Sequence, residues 1–297
     1  MKDLNQQFAI PSAAQFLPGE GNLTKLEIRT DIAAADIYLH GAHVTHYQRR
    51  GEQPILWMSK RSWFDVSEPI RGGVPVIFPW FGPRKDGPKS PNHGFARLVP
   101  WEVESVKQTN DGVVTAVLTF RTNEQTRSIW PYDAELRFTV AVGSTLVMSL
   151  EARNSGQSAF RFEEALHTYF TVSDVRRISI RGLEGVTYLD KAPGASSPRV
   201  TQDGQPITIV CETDRVYMAT RSACVLEDHG NDRRTVIEKD GSDTTVIWNP
   251  WIAKAAAMPD FGNDEWAQMV CIETANVGEN AVGLAPGAAH MMRAILR

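Results

Sequence analysis

Across 297 residues no stretch of 12 or more sustains a 3.6-residue apolar period, while runs of period two recur from end to end. Residues 113–121 put Val114, Ala116, Leu118 and Phe120 on one side. Residues 134–142 do the same with Ala134, Leu136, Phe138, Val140 and Val142, and 146–154 continue with Leu146, Met148 and Leu150. Successive side chains of a strand point to opposite faces, so this alternation describes antiparallel sheet with one face buried and one wet. Short turn formers, Asn110-Asp111-Gly112 and Val142-Gly143-Ser144, join the runs. Further strands are read from Leu23, at 32–39, 42–48 and 99–107, and then at 160–170, 176–181, 207–211, 216–220, 223–229, 233–239, 244–248, 267–275 and 290–296. Residues 1–22 read as a lead-in, and only 262–268 admit a turn or two of helix. So many strands with almost no helix imply an all-β, antiparallel sandwich, because two apolar sheet faces must be buried against each other. No linker, composition step or internal repeat divides the chain, so a single domain over 1–297 is expected.

Composition excludes several partners. Lys and Arg number 31 against 35 Asp and Glu, a net charge of −4, and no basic run can track a phosphate backbone; nucleic acid is not an expected partner. The three cysteines, Cys211, Cys224 and Cys271, are odd in number and sparse, which fits a reducing compartment without a disulfide framework. The opening MKDLNQQFAIPSAAQF lacks a signal-peptide core and no apolar run reaches membrane-spanning length. A cytoplasmic protein with no membrane association is the expectation. There is no G-x-G-x-x-G, Walker loop, C-x-x-C or serine nucleophile elbow. His40, His43 and His46 are spaced by three, which on a strand sends successive side chains to opposite faces; a metal site is not expected.

The one long stretch without regular periodicity is 71–97, RGGVPVIFPWFGPRKDGPKSPNHGFAR, with five prolines and five glycines. Irregular loops of this length are usually binding loops or disordered. Phe78, Trp80, Phe81 and Phe95 supply enough apolar surface to order it, so it reads as a ligand-binding rim carrying Arg71, His93 and Arg97. Arg84, Lys85 and Lys89 read as a solvated part of that loop. In FRFEEALHTYF, one regular strand over 160–170 would put Phe160, Phe162, Leu166 and Phe170 on one face. His167 would lie on the other with Arg161, Glu163 and Tyr169, either as an exposed bystander or over a cleft, its flanking acids and tyrosine able to orient the ring. Glu273 sits among Val270, Cys271, Ile272 and Ala275, either facing water from an edge strand or partly buried with the raised pKa a general base needs. Asp214 and Lys254 are single polar residues after turns.

These stretches together resemble the aldose 1-epimerase (mutarotase) superfamily, in particular its hexose-6-phosphate branch. The resemblance is carried by GAHVTHY at 41–47, RGGVPVIFPWFGPR at 71–84, NHGFAR at 92–97 and EEALHTYF at 163–170. ETDRVY at 212–217, WNPW at 248–251 and CIETANV at 271–277 complete it. It implies a large β-supersandwich of the galactose mutarotase-like type. It also implies His167 as catalytic acid, Glu273 as catalytic base, and Arg71, His93 and Asp214 as residues that hold the sugar. In the phosphosugar branch basic residues should meet the phosphate, with Arg97 and Arg71 as the clamp and Lys254 contributing. The activity implied is interconversion of the α and β anomers of hexose 6-phosphates, with no cofactor and no metal; a monomer is the default expectation. A free-aldose mutarotase and a noncatalytic sugar-binding protein are the alternatives. The acid/base assignment requires His167 and Glu273 to face one cavity, a sugar ring apart.

Overall fold

The computed structural model describes residues 1–84, 90–195 and 199–297. Two eight-stranded antiparallel sheets dominate it. The back sheet runs Ile178–Arg181, Cys224–Asp228, Arg233–Asp240, Ala289–Leu296, Leu146–Asn154, Ala134–Val142, Val114–Arg121, Glu102–Gln108. Its long central strands follow the period-two pattern residue for residue. Ala134–Val142 and Leu146–Asn154 pair without a slip, and Leu136, Phe138, Val140, Met148 and Leu150 are buried on their shared face. A one-residue slip would carry that whole set to water, so the pattern pins the register. Each such side chain stabilises the fold by roughly 1.5–3 kcal/mol when fully buried.

The site sheet runs Arg199–Thr201, Thr187–Asp190, Thr213–Tyr217, Thr244–Asn249, Met269–Asn276, Glu164–Leu166, Val76–Ile77, with Tyr169–Thr171 also paired to Met269–Asn276. Ile247, Val270, Ile272, Leu166 and Phe170 turn inward and join the back sheet's residues in one core. Met269–Asn276 lies between neighbours on both sides, and all eight of its residues are buried. A four-stranded sheet, Ala14–Pro18, Thr24–Arg29, Ala33–Tyr38 and His43–Arg49, and a two-stranded ribbon, Phe160–Phe162 with Val282–Leu284, complete the strands.

Several sequence expectations need correction. Residues 1–22 contain a helix, Lys2–Phe8, and a paired strand, Ala14–Pro18. Residues 207–211 form no strand, only a single bridge from Ile207 to Ile180. The strand placed at 216–220 lies at Thr213–Tyr217. Residues 160–170 are not one strand but three pieces, 160–162, 164–166 and 169–171. The helices found, Lys2–Phe8, Glu124–Arg127 and Trp251–Ala257, are all too short to hold a periodic pattern of 12 residues.

The described parts of the 71–97 loop, 71–84 and 90–97, pack as its aromatics imply. Phe78 packs against Phe95, Trp130 and Phe162 at centroid distances of 6.1, 5.4 and 5.1 Å, and Trp80 meets Phe95 edge-on. The strand-like contact between Phe78 and Gly94 closes the loop on itself. Gly94 has φ +70°, and a Cβ there would lie 2.0 Å from the Phe78 carbonyl oxygen. Only glycine permits that approach. At the other end, His43 donates from Nε2 to the Gly72 carbonyl at 2.7 Å, holding the turn that follows Arg71. His40 binds the Glu68 carbonyl instead, and His46 lies by Asp36 at a bulge, so the three histidines serve separate places. Lys85 and Lys89 lie outside the described residues.

Candidate active site

Register alone assembles the floor of the site. Asp214 pairs with Trp248, and Val246 pairs with Glu273. Opposed residues of neighbouring antiparallel strands share a face, so Asp214, Val246, Trp248 and Glu273 all project from one side of the site sheet. On the other flank, Leu166 pairs with Thr274 and Tyr169 with Cys271. Counting between those pairs sets His167 across from Glu273. The ladder is interrupted there, because the Thr168 N–H turns back to the Leu166 carbonyl at 2.9 Å, but the facing is kept. His167 Nε2 stands 3.4 Å from Glu273 Oε1.

That side of the broken strand is wet at Arg161 but dry at the site. His167 and Glu273 are 8% and 1% exposed. Glu163, expected to orient the His167 ring, instead accepts the N–H of Phe81 and the N–H of Gly278, both at 2.7 Å, tying the loop to the end of the Glu273 strand. The ring is oriented by Tyr169, which stacks on it at 4.9 Å with planes 15° apart; Trp57 stacks on the far side of Tyr169.

A cavity of about 280 Å³ opens above this floor. Arg71, His93, Arg97, His167, Asp214, Lys254 and Glu273 all line it, so the structure brings together all seven residues singled out from sequence. It also brings in Phe81, Tyr169, Lys191, Trp248 and Met258. Lys191 follows a four-residue strand with no sequence signal of its own. Asp260, which pairs with Arg71 from beneath, is likewise invisible in the sequence pattern.

The cations differ in how far they are already satisfied. Arg71 Nε and Nη2 reach Asp260 Oδ2 at 3.0 and 2.9 Å, and Nη1 donates to the Tyr169 hydroxyl at 3.1 Å. Lys254 pairs with Glu212 at 3.0 Å. Arg97 is buried, donates from Nη2 to the Asn92 carbonyl at 2.8 Å, and has no carboxylate partner among the described residues; its Nε meets no acceptor. A guanidinium left in this state is costly unless an anion completes it. Burial, with Arg71 nearby, pushes Arg97 down to about 10, so it stays charged at pH 7.

The titratable floor is strongly perturbed. Burial, then the nearby Asp214 carboxylate, pushes Glu273 well above the usual carboxylate range. Burial, then the charges of Arg97 and Arg71, pushes the His167 imidazole down to about 3. Glu273 Oε2, His167 Nδ1 and Arg97 Nε are buried with no hydrogen-bond partner among the described residues. Three unpartnered polar atoms on residues that line one cavity, with strongly perturbed titration beside them, mark a functional-site candidate. His93 accepts the Gly82 N–H on Nδ1 at 3.2 Å, which leaves its Nε2–H as a donor. Burial and the Arg97 charge hold that ring neutral. The distance between His167 and Glu273 corrects one expectation: they are in near contact, not a sugar ring apart.

An antiparallel sandwich with an imidazole–carboxylate pair and buried cations around one cavity is suited to acid–base chemistry on a polar ligand. Residues 24–296 match the family model for aldose 1-epimerase, and the chain belongs to that family. A provisionally named glucose-6-phosphate 1-epimerase of Cenchrus ciliaris is 36% identical over 261 residues, covering 85% of this chain and 78% of that one. A protein with the same provisional name from Escherichia coli K12 is 35% identical over 263 residues, 88% and 86% of the two chains. The crystal structure of a provisionally named mutarotase from Salmonella typhimurium superposes with a TM-score of 0.88 at 28% identity, over 97% of this chain and 94% of that chain.

Proposed function

We propose that the chain interconverts the α and β anomers of hexose 6-phosphates, glucose 6-phosphate above all, as a monomeric single-domain enzyme of the cytoplasm. The observation that carries the substrate class is Arg97, a buried cation with no carboxylate partner among the described residues, in the same cavity as the His167–Glu273 pair. The free cysteines, two of them buried, fit the reducing compartment.

The reaction needs one acid and one base. Glu273 as carboxylate takes the proton from the anomeric hydroxyl O1. The O1–C1 bond becomes double, the C1–O5 bond breaks, and O5 takes a proton from His167. Rotation about C1–C2 presents the other face of the aldehyde, and the same steps run backwards to close the ring. O1 and O5 share the anomeric carbon, so groups serving them must stand close together, as His167 and Glu273 do. Each proton transfer is worth roughly 10²- to 10⁴-fold. Nothing is oxidised, so the scheme calls for no redox cofactor.

Charge gives the sugar its direction. Of the charged groups around it, Arg97 acts most strongly on His167, whereas at Glu273 it follows Asp214 and Lys191. The phosphate is assigned to Arg97 and the anomeric carbon to the His167–Glu273 pair, which line the same cavity. Arginine's planar fork suits a dianionic phosphate. Arg71, with Asp260 as its built-in partner, backs the clamp, and Lys254 contributes from the rim. Asp214 and the His93 Nε2–H are left for sugar hydroxyls. Exchange NMR of the two anomers on purified protein tests the reading. Glucose 6-phosphate is expected to exchange far faster than glucose at equal enzyme; equal acceleration of both would contradict the phosphosugar assignment.

A further inference from the structure

One hydroxyl in the cavity has a hydrogen without an acceptor. Tyr169 is buried, and its oxygen accepts from Arg71 Nη1 at 3.1 Å. A phenol also donates, yet this O–H meets no acceptor among the described residues. A buried tyrosine normally finds a partner for that hydrogen. Burial pushes the phenol up, so at pH 7 it keeps its proton and serves as a donor.

Packing turns the hydroxyl end toward the cavity. His167 covers one face of the ring at 4.9 Å and Trp57 the other at 5.6 Å. Trp248 stands at 77° to the ring, and with both faces taken it meets an edge. Tyr169 nonetheless lines the cavity, which leaves the hydroxyl end and the remaining edge to do so. Arg71, another lining residue, reaches the ring at that hydroxyl end. Tyr169 pairs with Cys271, two residues along the strand from Glu273 and therefore about 6–7 Å away. The hydroxyl thus stands to one side of the acid–base pair. Buried Asp260 pins Arg71, whose five-donor guanidinium still has hydrogens for a ligand. A phenol O–H beside a guanidinium suits an oxyanion with several lone pairs.

We propose that the Tyr169 hydroxyl donates its remaining hydrogen to a phosphoryl oxygen of the substrate, beside Arg71, and so helps to select phosphorylated hexoses. The inference rests on the hexose-6-phosphate reading and adds a residue to it. Asp260, Arg71 and Tyr169 form a chain in which each member fixes the next: the carboxylate holds the guanidinium, and the guanidinium fixes which way the phenol can donate.

Tyr169→Phe tests this, because it keeps both ring stacks and removes the hydroxyl alone. Binding is read by calorimetry with 1,5-anhydroglucitol 6-phosphate, which has the ring and the phosphate but no anomeric hydroxyl. Anomer exchange of glucose 6-phosphate and of glucose is followed by NMR in parallel. A hydrogen bond to a charged group is worth roughly 10- to 100-fold in affinity, so Kd for the anhydro sugar phosphate should rise by about that factor. The kcat/KM preference for glucose 6-phosphate over glucose should fall similarly, chiefly through KM, since the contact is made before and during ring opening alike. An unchanged Kd overturns the proposal. So does an equal loss on both sugars, the result expected if Tyr169 only orients His167. Failure of wild type to exchange glucose 6-phosphate faster than glucose would instead overturn the functional reading beneath it.

Discussion

Replacing His167 with Gln should make the protein relatively more stable in acid, and the size of the effect can be worked from its burial. In the unfolded chain this imidazole titrates near 6.5; in the folded protein it is pushed down to about 3. At pH 7 it is neutral in both states and contributes nothing. As pH falls through 6.5 the unfolded chain takes up a proton that the folded one refuses, so stability is lost in that direction. At pH 5 the gap is 1.5 pKa units, which at 1.36 kcal/mol per unit is about 2 kcal/mol. Gln has no such titration. It does lose the stack on Tyr169, a cost that is present at both pH values and cancels in the difference. Urea unfolding of wild type and His167→Gln at pH 7 and pH 5 therefore isolates the effect. The variant's stability relative to wild type should improve by about 2 kcal/mol on going from pH 7 to pH 5. An unchanged difference would mean that folded His167 takes its proton readily, refuting the dry-site account.

Two further outcomes follow from packing. Gly94→Ala should destabilise the protein by more than about 1 kcal/mol, because it places a Cβ at φ +70° and 2.0 Å from the Phe78 carbonyl oxygen; chemical denaturation measures it, with the loss of sugar exchange as a second readout. His290 pairs with fully buried Glu164 at 3.1 Å, and that bond raises its pKa. The stabilisation it supplies is complete below the unfolded value near 6.5 and lost as pH rises through the raised folded value. His290→Gln should consequently cost more at pH 6 than at pH 9 in the same unfolding assay.

The back sheet was legible because one of its faces is wet: alternation in Ala134–Val142 and Leu146–Asn154 marks both the strands and their buried side. Met269–Asn276 carries no such alternation, since both faces are covered, and Glu273 stood out only as a charge in an apolar run. Its partner could not be read locally. His167 lies across from it by a register that joins chain segments more than a hundred residues apart, and no local period encodes that pairing. Short pieces such as Val76–Ile77 and Thr187–Asp190 fall below the length at which a period of two is visible. Asp260 and Lys191 went unseen for a related reason. A single charged residue beside a turn looks the same whether it faces water or a cavity. Seven site residues were nonetheless singled out, five from the residues themselves and Asp214 and Lys254 through the family resemblance, and the fold gathers all seven around one cavity.

The central claim is that Glu273 and His167 open and close the sugar ring. Two-dimensional exchange NMR on α- and β-glucose 6-phosphate, comparing wild type with Glu273→Gln, tests it most directly. The substitution keeps the shape of the side chain and removes only the base, so anomer exchange should fall roughly 10²- to 10⁴-fold while the fold persists. Exchange by the folded variant at the wild-type rate would contradict the account.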